Sequence, residues 1–197
     1  SWPQIAKMSA NDAAASDEFG SSVAIDGDTV VVGSPHPYVP RKLGSAYVFH
    51  TSDGGATYGL VAKLTASDAA AGDNFGISVA IYGDTIVVGA YAWNIRGGDG
   101  WGSAYVFRTT DGGATYLEVA ILTASDAAVG DNFGNSVAIA GDTIVVGACY
   151  KSSGTGAVYV FLTTDGGATY DQVAKLTADD AAAGDMFGRS VAIDGAT

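Results

Sequence analysis

Apolar residues in this chain fall into short runs that are bounded by glycine, aspartate and serine. Some runs are unbroken, such as Ile86-Val87-Val88, and others alternate with small residues, such as Ala104-Tyr105-Val106-Phe107. Unbroken short runs are consistent with strands buried on both faces, and alternating runs predict strands with one face on a core. No run approaches the length that spans a bilayer. The pattern therefore predicts an all-β chain without membrane insertion.

The same order of runs recurs along the chain. Each unit begins at a Phe-Gly pair, and successive pairs are 54 to 58 residues apart: Phe19-Gly20, Phe75-Gly76, Phe133-Gly134 and Phe187-Gly188. A period in this range indicates a repeat architecture. Each unit contains four predicted strands with turn residues between them, a pattern typical of a β-propeller blade.

The position of each strand in its blade follows from its residues. Ser-Val-Ala-Ile has small side chains, which suit a crowded inner strand, and a Gly-Asp pair then predicts a tight hairpin into the second strand. The fourth strand carries a lysine in three of its copies, and the remaining copy has Ile121. Because lysine protects an exposed sheet edge, we expect this strand at the outer rim. The lysines are Lys7, Lys63 and Lys175.

We therefore predict one repeat domain over residues 1–197, a β-propeller of four-stranded antiparallel blades with about three and a half blades present. The predicted blade units are approximately 11–66, 67–124 and 125–178, with a rim strand at 2–10 and an inner strand at 190–194 in incomplete blades. Such a chain is either part of a larger propeller or is completed by another copy. A self-closed four-bladed ring is the less favoured alternative.

Two repeated turns contain the aspartates. In Asp-Gly-Gly-Ala-Thr-Tyr, we expect the carboxylates of Asp53, Asp111 and Asp165 to accept hydrogen bonds from turn amides. In Asp-Ala-Ala-Ala-Gly-Asp, the first aspartate is expected to cap a single helical turn. Two aspartates lie five residues apart in this segment and could share a hard cation such as calcium with backbone carbonyls, although turn chemistry is the favoured interpretation. The candidate metal ligands are Asp68, Asp73, Asp126 and Asp131.

Composition limits the partners. The 197 residues include 21 acidic and 9 basic side chains, for a net charge of −12. This charge disfavours nucleic acid and anionic membranes, and it suits a basic partner or a cation. Cys149 is the single cysteine, so an intrachain disulfide is impossible. The first residues lack the features of a signal peptide, so either a leader has been removed or the chain was cut from a longer one.

The pattern Phe-Gly-x-Ser-Val-Ala followed by Gly-Asp-Thr-x-Val-Val-Gly-Ala resembles the FG-GAP repeats of integrin α-subunit propellers. The resemblance implies a propeller, commonly seven-bladed, outside the cell or at its surface, that serves adhesion or ligand binding. Those propellers often carry an Asp-x-Asp-x-Asp-Gly calcium loop between the first two strands. The short Tyr82-Gly83-Asp84 hairpin cannot supply the six to eight oxygens that calcium prefers. Calcium binding is therefore not carried over.

The connection between the third and fourth strands is similar to the Asp-box of sialidases, as in Thr51 to Tyr58. The sialidase activity does not follow, since it needs inward-facing arginines and a Tyr/Glu pair that this chain does not repeat. His36 and His50 are the two histidines, and neither lies in a recognisable catalytic motif. The sequence thus predicts no enzyme, with a central-channel hydrolase built from aspartates of several blades as a less favoured alternative.

The loops between the second and third strands differ from repeat to repeat and contain aromatic and basic residues. Such residues on loops favour a recognition surface, although they could equally cover the blade edges. The candidate ligand-binding residues are Tyr38, Arg41, Tyr91, Trp93, Arg96, Trp101 and Tyr150. We predict a non-catalytic module that binds a protein or glycan with this face, without a cofactor. The alternative is a structural subunit of a larger assembly.

Overall fold

The computed structural model describes residues 4–36, 43–91 and 100–195, and its strands form three four-stranded antiparallel sheets. The first blade contains β1(Ser22–Asp26), β2(Thr29–Ser34), β3(Ser45–His50) and β4(Gly59–Leu64). The second contains β5(Ser78–Tyr82), β6(Thr85–Ala90), β7(Ser103–Arg108) and β8(Leu117–Leu122). The third contains β9(Phe133–Ala140), β10(Thr143–Ala148), β11(Ala157–Leu162) and β12(Asp171–Leu176). The all-β fold class with four-stranded blades is confirmed, and the blades form an open arc.

Strand order within each sheet follows chain order, from the inner strand to the outer one. Asp26 pairs with Thr29 across the first Gly-Asp hairpin, as Tyr82 pairs with Thr85 in the second blade. Each outer strand has a β-bulge against its neighbour, at Val106/Phe107 in the second blade. The predicted hairpins and strand order are thus present.

The core lies between the blades. Side chains on one face of the first blade, such as Val31 and Val48, are buried against Ile86 and Val88 of the second blade. A second cluster of the same kind joins the second blade to the third. The phenylalanine of each of the first three Phe-Gly pairs packs edge-to-face on the third-strand tyrosine of its own blade, with Phe75 and Tyr105 ring centroids 5.3 Å apart.

Glycines allow the blades to approach closely. A Cβ added to Gly89 in β6 would overlap the carbonyl oxygen of Gly134, which belongs to the Phe-Gly pair of the next blade. Gly134 itself has a φ of 87°, a conformation that favours glycine. Its carbonyl accepts a hydrogen bond from Ser78 Oγ at 2.8 Å. The same contact recurs between the first two blades, where Ser22 bonds to Gly76, and between the third blade and the segment that follows it, where Ser136 bonds to Gly188.

Three expectations from the sequence are wrong in detail. Residues 4–10 of the predicted rim strand, and residues 190–195 around the predicted inner strand, are not strands, because no neighbouring strand pairs with them in the described part of the chain. The Asp-Ala-Ala-Ala-Gly-Asp segment forms two tight turns instead of a helical turn. In the second blade, one turn is closed by a hydrogen bond from Ala69 N to Ala66 O and the other by a hydrogen bond from Asp73 N to Ala70 O. Its first aspartate binds a tyrosine hydroxyl, as described below.

One short helical segment, α1(Lys151–Gly154), follows β10. Ser152 and Ser153 within it have positive φ values of 53° and 62°, so it is a left-handed turn and not a regular helix. No helix in the described ranges has the length and hydropathy needed to span a membrane.

Candidate binding face

The loops after the second strands and the turns before the inner strands share one face of the arc. Gly130 N donates to Gly100 O at 2.8 Å, and Phe133 N donates to Trp101 O at 3.2 Å. From the other side, Tyr150 N donates to Asp131 O at 3.2 Å. The segment 130–133 is therefore held between the loop of the second blade and that of the third.

This arrangement brings two predicted ligand-binding residues to the same place. Trp101 is 43% exposed and Tyr150 is 46% exposed, and they flank segment 130–133 on either side. Tyr91 is half-buried at the start of its loop, where its carbonyl accepts a hydrogen bond from Asn74 Nδ2 at 3.1 Å. The remaining candidates lie outside the described residues: Tyr38, Arg41, Trp93 and Arg96.

In each blade, a tyrosine of the third strand donates a hydrogen bond to the first aspartate of the segment that precedes the inner strand. Tyr47 Oη donates to Asp12 at 2.7 Å, and Lys63 Nζ lies 2.5 Å from the same carboxylate and 5.3 Å from the Tyr47 ring centroid. The hydrogen bonds from Lys63 and Tyr47 lower the pKa of Asp12. Burial and the bond to Asp12 raise the pKa of Tyr47.

The third blade repeats this arrangement and adds a second lysine. Tyr159 Oη and Lys175 Nζ each lie 2.7 Å from Asp126, and the Lys175 ammonium is 5.7 Å from the Tyr159 ring. Burial alone would raise the pKa of Asp126, but hydrogen bonds from Lys175 and Tyr159 and the charge of Lys151 lower it to about 2. In the second blade Tyr105 Oη donates to Asp68 at 2.8 Å, and Ile121 stands where the others have lysine.

The second aspartate of each segment closes a tight turn. Asp73 Oδ2 accepts a hydrogen bond from Ala70 N at 2.7 Å, and Asp131 Oδ2 accepts one from Ala128 N at 2.8 Å. Burial raises the pKa of Asp73. Lys151 is buried and places its ammonium 2.7 Å from Asp131, where it also donates to the carbonyl of Asp126.

The candidate metal ligands are thus held by protein donors. Asp126 and Asp131 share the Lys151 ammonium, so a cation between them would have to displace that side chain. Across residues 4–36, 43–91 and 100–195, no group of three or more His, Cys, Asp or Glu side chains lies close enough together to hold a metal ion. Calcium binding by these aspartates stays an untested prediction.

A cleft of about 250 Å³ opens on the same face at the first blade. His36 lies in it with a positive φ of 53°, and its Nδ1 is 3.0 Å from Asp17 Oδ1. Both side chains are buried. The cleft therefore presents acidic, basic and aromatic groups beside an exposed leucine. Its lining residues are Asp12, Asp17, His36, Leu43, Tyr47 and Lys63.

Sequence reasoning missed this cleft and the Lys151 contact. The aspartate and the tyrosine recur in each blade and the rim lysine recurs in all but the second, and that shared period was a signal that they could meet. Tyr47 and Lys63 lie 35 and 51 residues from Asp12 in the chain. Lys151 has no repeated counterpart, so no pattern indicated it.

The opposite face contains the aspartates that were predicted to stabilise turns. Asp53 accepts hydrogen bonds from Thr57 Oγ1 at 2.6 Å, Thr57 N at 2.9 Å and Thr51 Oγ1 at 2.8 Å. These bonds lower the pKa of Asp53 to about 2, with the Thr57 hydroxyl as the largest cause. Asp111 and Asp165 bind their own turns in the same way.

Comparisons with known proteins show which family and which solved structure the chain is similar to. The family model described as FG-GAP repeat matches residues 2–49, 58–107, 116–161 and 170–197. Among solved structures the chain is similar to the crystal structure of the Saccharomyces cerevisiae Sqt1, with a TM-score of 0.53 and 11% identity over 83% of this chain and 37% of that chain. That likeness shows the fold alone, and this chain spans well under half the length of that protein. No curated protein matches the sequence. Since the four matched segments cover most of its length, the chain belongs to the FG-GAP repeat family.

Proposed function

We propose that this chain is a non-catalytic binding module that recognises a protein or glycan through the face formed by its second-to-third-strand loops. The observation that carries this proposal is the placement of Trp101 and Tyr150, both nearly half exposed, around segment 130–133. Backbone hydrogen bonds hold the main chain at both residues, and an aromatic side chain has only two torsions to fix when a ligand covers it. Aromatic residues are also the side chains most enriched at binding hot spots.

The cleft of the first blade supports the proposal that this face binds a ligand. Its carboxylates, the Lys63 ammonium and the Tyr47 ring could bind the polar groups of a ligand at the first blade. Membership of the FG-GAP family supports a binding or scaffold role, and the resemblance to integrin α-subunit propellers supports an extracellular or cell-surface location.

Substitution of the aromatic pair tests this proposal. The wild-type protein and the variants Trp101→Ala and Tyr150→Ala are applied to arrays of defined glycans and of short synthetic peptides. We expect the wild type to retain a subset of probes and each variant to lose about tenfold in affinity. Tyr82→Ala is the matched control, because Tyr82 is an exposed aromatic residue in the hairpin between β5 and β6. Equal loss in the control, or no retained probe, contradicts the proposal.

A second candidate function, a structural subunit of a larger assembly, is favoured by one observation. Val23 and Ile25 of β1 are 59% and 63% exposed, whereas the equivalent Val79 and Ile81 of β5 are buried against the first blade. An apolar face of this kind is suited to docking a further blade.

A further inference from the structure

The outer strand of the second blade differs from the outer strands of the other two. β8 exposes Leu117, Val119 and Ile121, by 68%, 38% and 42% of their surfaces. The exposures alternate along the strand even though Val119 is the extra residue of the bulge, so these three side chains form an apolar strip about 13 Å long. The corresponding exposed residues of β4 are Gly59, Val61 and Lys63, and those of β12 are Asp171, Val173 and Lys175. We call Leu117, Val119 and Ile121 the β8 strip.

The β8 strip ends beside the carboxylate of Asp68. The first and third blades have a lysine at the equivalent place, and the second blade does not. Asp68 accepts the Tyr105 hydroxyl at 2.8 Å, as Asp12 and Asp126 accept Tyr47 and Tyr159. In the first and third blades an ammonium completes the arrangement, lying against the carboxylate and above the tyrosine ring. Among the residues that the structure describes, no lysine or arginine forms an ion pair with Asp68.

We propose that the β8 strip and Asp68 bind an extended segment of a basic partner protein in which one lysine alternates with apolar residues. The ammonium takes the place beside Asp68 and the Tyr105 ring that Lys63 and Lys175 occupy in the other blades. Apolar side chains two and four residues away from that lysine cover Val119 and Leu117. β8 is also an edge strand, and its outward backbone groups can add hydrogen bonds to an extended chain.

Charge selects a basic partner over a second copy of this chain. The net charge of −12 makes two copies repel each other, and it attracts a basic segment. Of the copy's three rim lysines, Lys63 and Lys175 are already paired with Asp12 and Asp126, so only Lys7 could approach Asp68 without breaking one of these pairs, and it would do so against the repulsion between the copies. A lysine on a separate chain brings the missing charge without breaking either pair.

Two blocked peptides test the proposal with the whole chain: Lys-Thr-Val-Thr-Leu-Thr and its reverse order, which cover both strand directions. Binding is followed by NMR titration of the labelled protein. We expect saturable shifts in β8 and Asp68 with one of the peptides, and about tenfold weaker binding when glutamine replaces its lysine. Absence of saturable shifts, or equal binding of the glutamine peptide, overturns the proposal.

Two reciprocal variants locate the site. Ile121→Lys gives the second blade its own lysine, so we expect peptide binding to be lost while the melting temperature is preserved. Gly59→Leu/Lys63→Ile copies the exposed residues of the β8 strip into the first blade, where Val61 is already apolar, so we expect the stoichiometry to rise from one peptide to two. Unchanged binding by the first variant, or unchanged stoichiometry for the second when it remains folded, contradicts the proposal. A wild-type dimer that Ile121→Lys converts to a monomer would assign the strip to self-association and overturn it.

Discussion

At the scale of single residues, aspartates in repeated turns have different roles that depend on which donor reaches them. Asp53 is exposed and bound by threonines of its own turn, Asp131 is buried beside an ammonium, and Asp73 is half-buried and accepts a hydrogen bond from a backbone amide. Their importance for the stability of the fold should differ accordingly. Two predictions follow from these contacts.

The first concerns the exposed turn aspartates. Because the Thr57 hydroxyl is the largest cause of the lowered pKa of Asp53, Thr57→Val should raise that pKa from about 2 toward its ordinary value of 3.8. A lowered pKa stabilises the folded state above pH 3.8, and this contribution is lost as the pH falls through about 2. The variant should therefore show a smaller decrease in melting temperature over that interval.

Carboxyl NMR titration measures the pKa values in this experiment. Asp111 provides the internal control, since its pKa of about 2 depends on Thr115 and should not change in Thr57→Val. A rise at both aspartates, or at neither, would show that the threonine hydroxyl is not the cause.

The second prediction concerns Lys151. Its ammonium and the Asp131 carboxylate are both about nine-tenths buried, so Lys151→Met leaves an uncompensated buried charge. We expect a loss of about 3 kcal/mol in the free energy of unfolding, measured by urea denaturation. Lys175→Met is the matched control, because its pair with Asp126 is partly exposed and should contribute at most about 1 kcal/mol. Equal losses in the two variants would argue against a special role of Lys151.

At the scale of elements, the Phe-Gly motif and the glycine of the second strand act together across each junction. The Phe-Gly carbonyl approaches the backbone of the preceding blade so closely that no side chain fits between them, and a serine hydroxyl bonds to it. The repeat period thus specifies contacts between blades as well as within them.

Gly89→Ala tests this contact, because the new Cβ would overlap the Gly134 carbonyl oxygen. Backbone atoms on both sides cannot move apart without separating the blades, so we expect a loss of about 3 kcal/mol in unfolding free energy. Gly83→Ala serves as the control, since it has a positive φ but open space around it, and it should lose about 1 kcal/mol. Urea denaturation compares them, and a larger loss at Gly83 would contradict the close approach.

Sequence predicted the features that depend on neighbouring residues, and it missed those that depend on residues far apart in the chain. Strands and hairpins depend on neighbouring residues, so runs such as Thr85–Ala90 and the Gly-Asp turns were predicted correctly. Residues 4–10 and 190–195 repeat strand sequences, yet a strand also needs a paired neighbour, which local pattern does not supply. The contact of Lys151 with Asp131 depends on a left-handed turn at Ser152 and Ser153, which no repeat encodes.

At the scale of the whole molecule, the second blade buries one face against the first blade and the other against the third, as expected for a repeat protein. Equivalent residues therefore differ in exposure according to their place in the arc. Val79, Ile81, Val137 and Ile139 are buried at the two junctions, and Val23 and Ile25 are exposed at the open end of the first blade.

Two double variants test this architecture by making the same chemical change at a junction and at the open end. They are Val79→Thr/Ile81→Thr at the junction of the first two blades and Val23→Thr/Ile25→Thr at the open end of the first blade. At the junction, the hydroxyls enter an apolar cluster and the blades lose buried surface, so we expect the free energy of unfolding to fall by about 3 kcal/mol. At the open end the change should remain within about 0.5 kcal/mol, because the side chains already face water. Urea denaturation measures both, and analytical ultracentrifugation of the second variant follows any association of copies.

If the face of Val23 and Ile25 docks a further blade, copies of the wild-type chain should associate through this face as the protein concentration rises. The substitutions Val23→Thr/Ile25→Thr should then abolish that association. A large loss of stability from Val23→Thr/Ile25→Thr at high dilution would instead mean that this chain covers that face itself, and the open arc would be wrong.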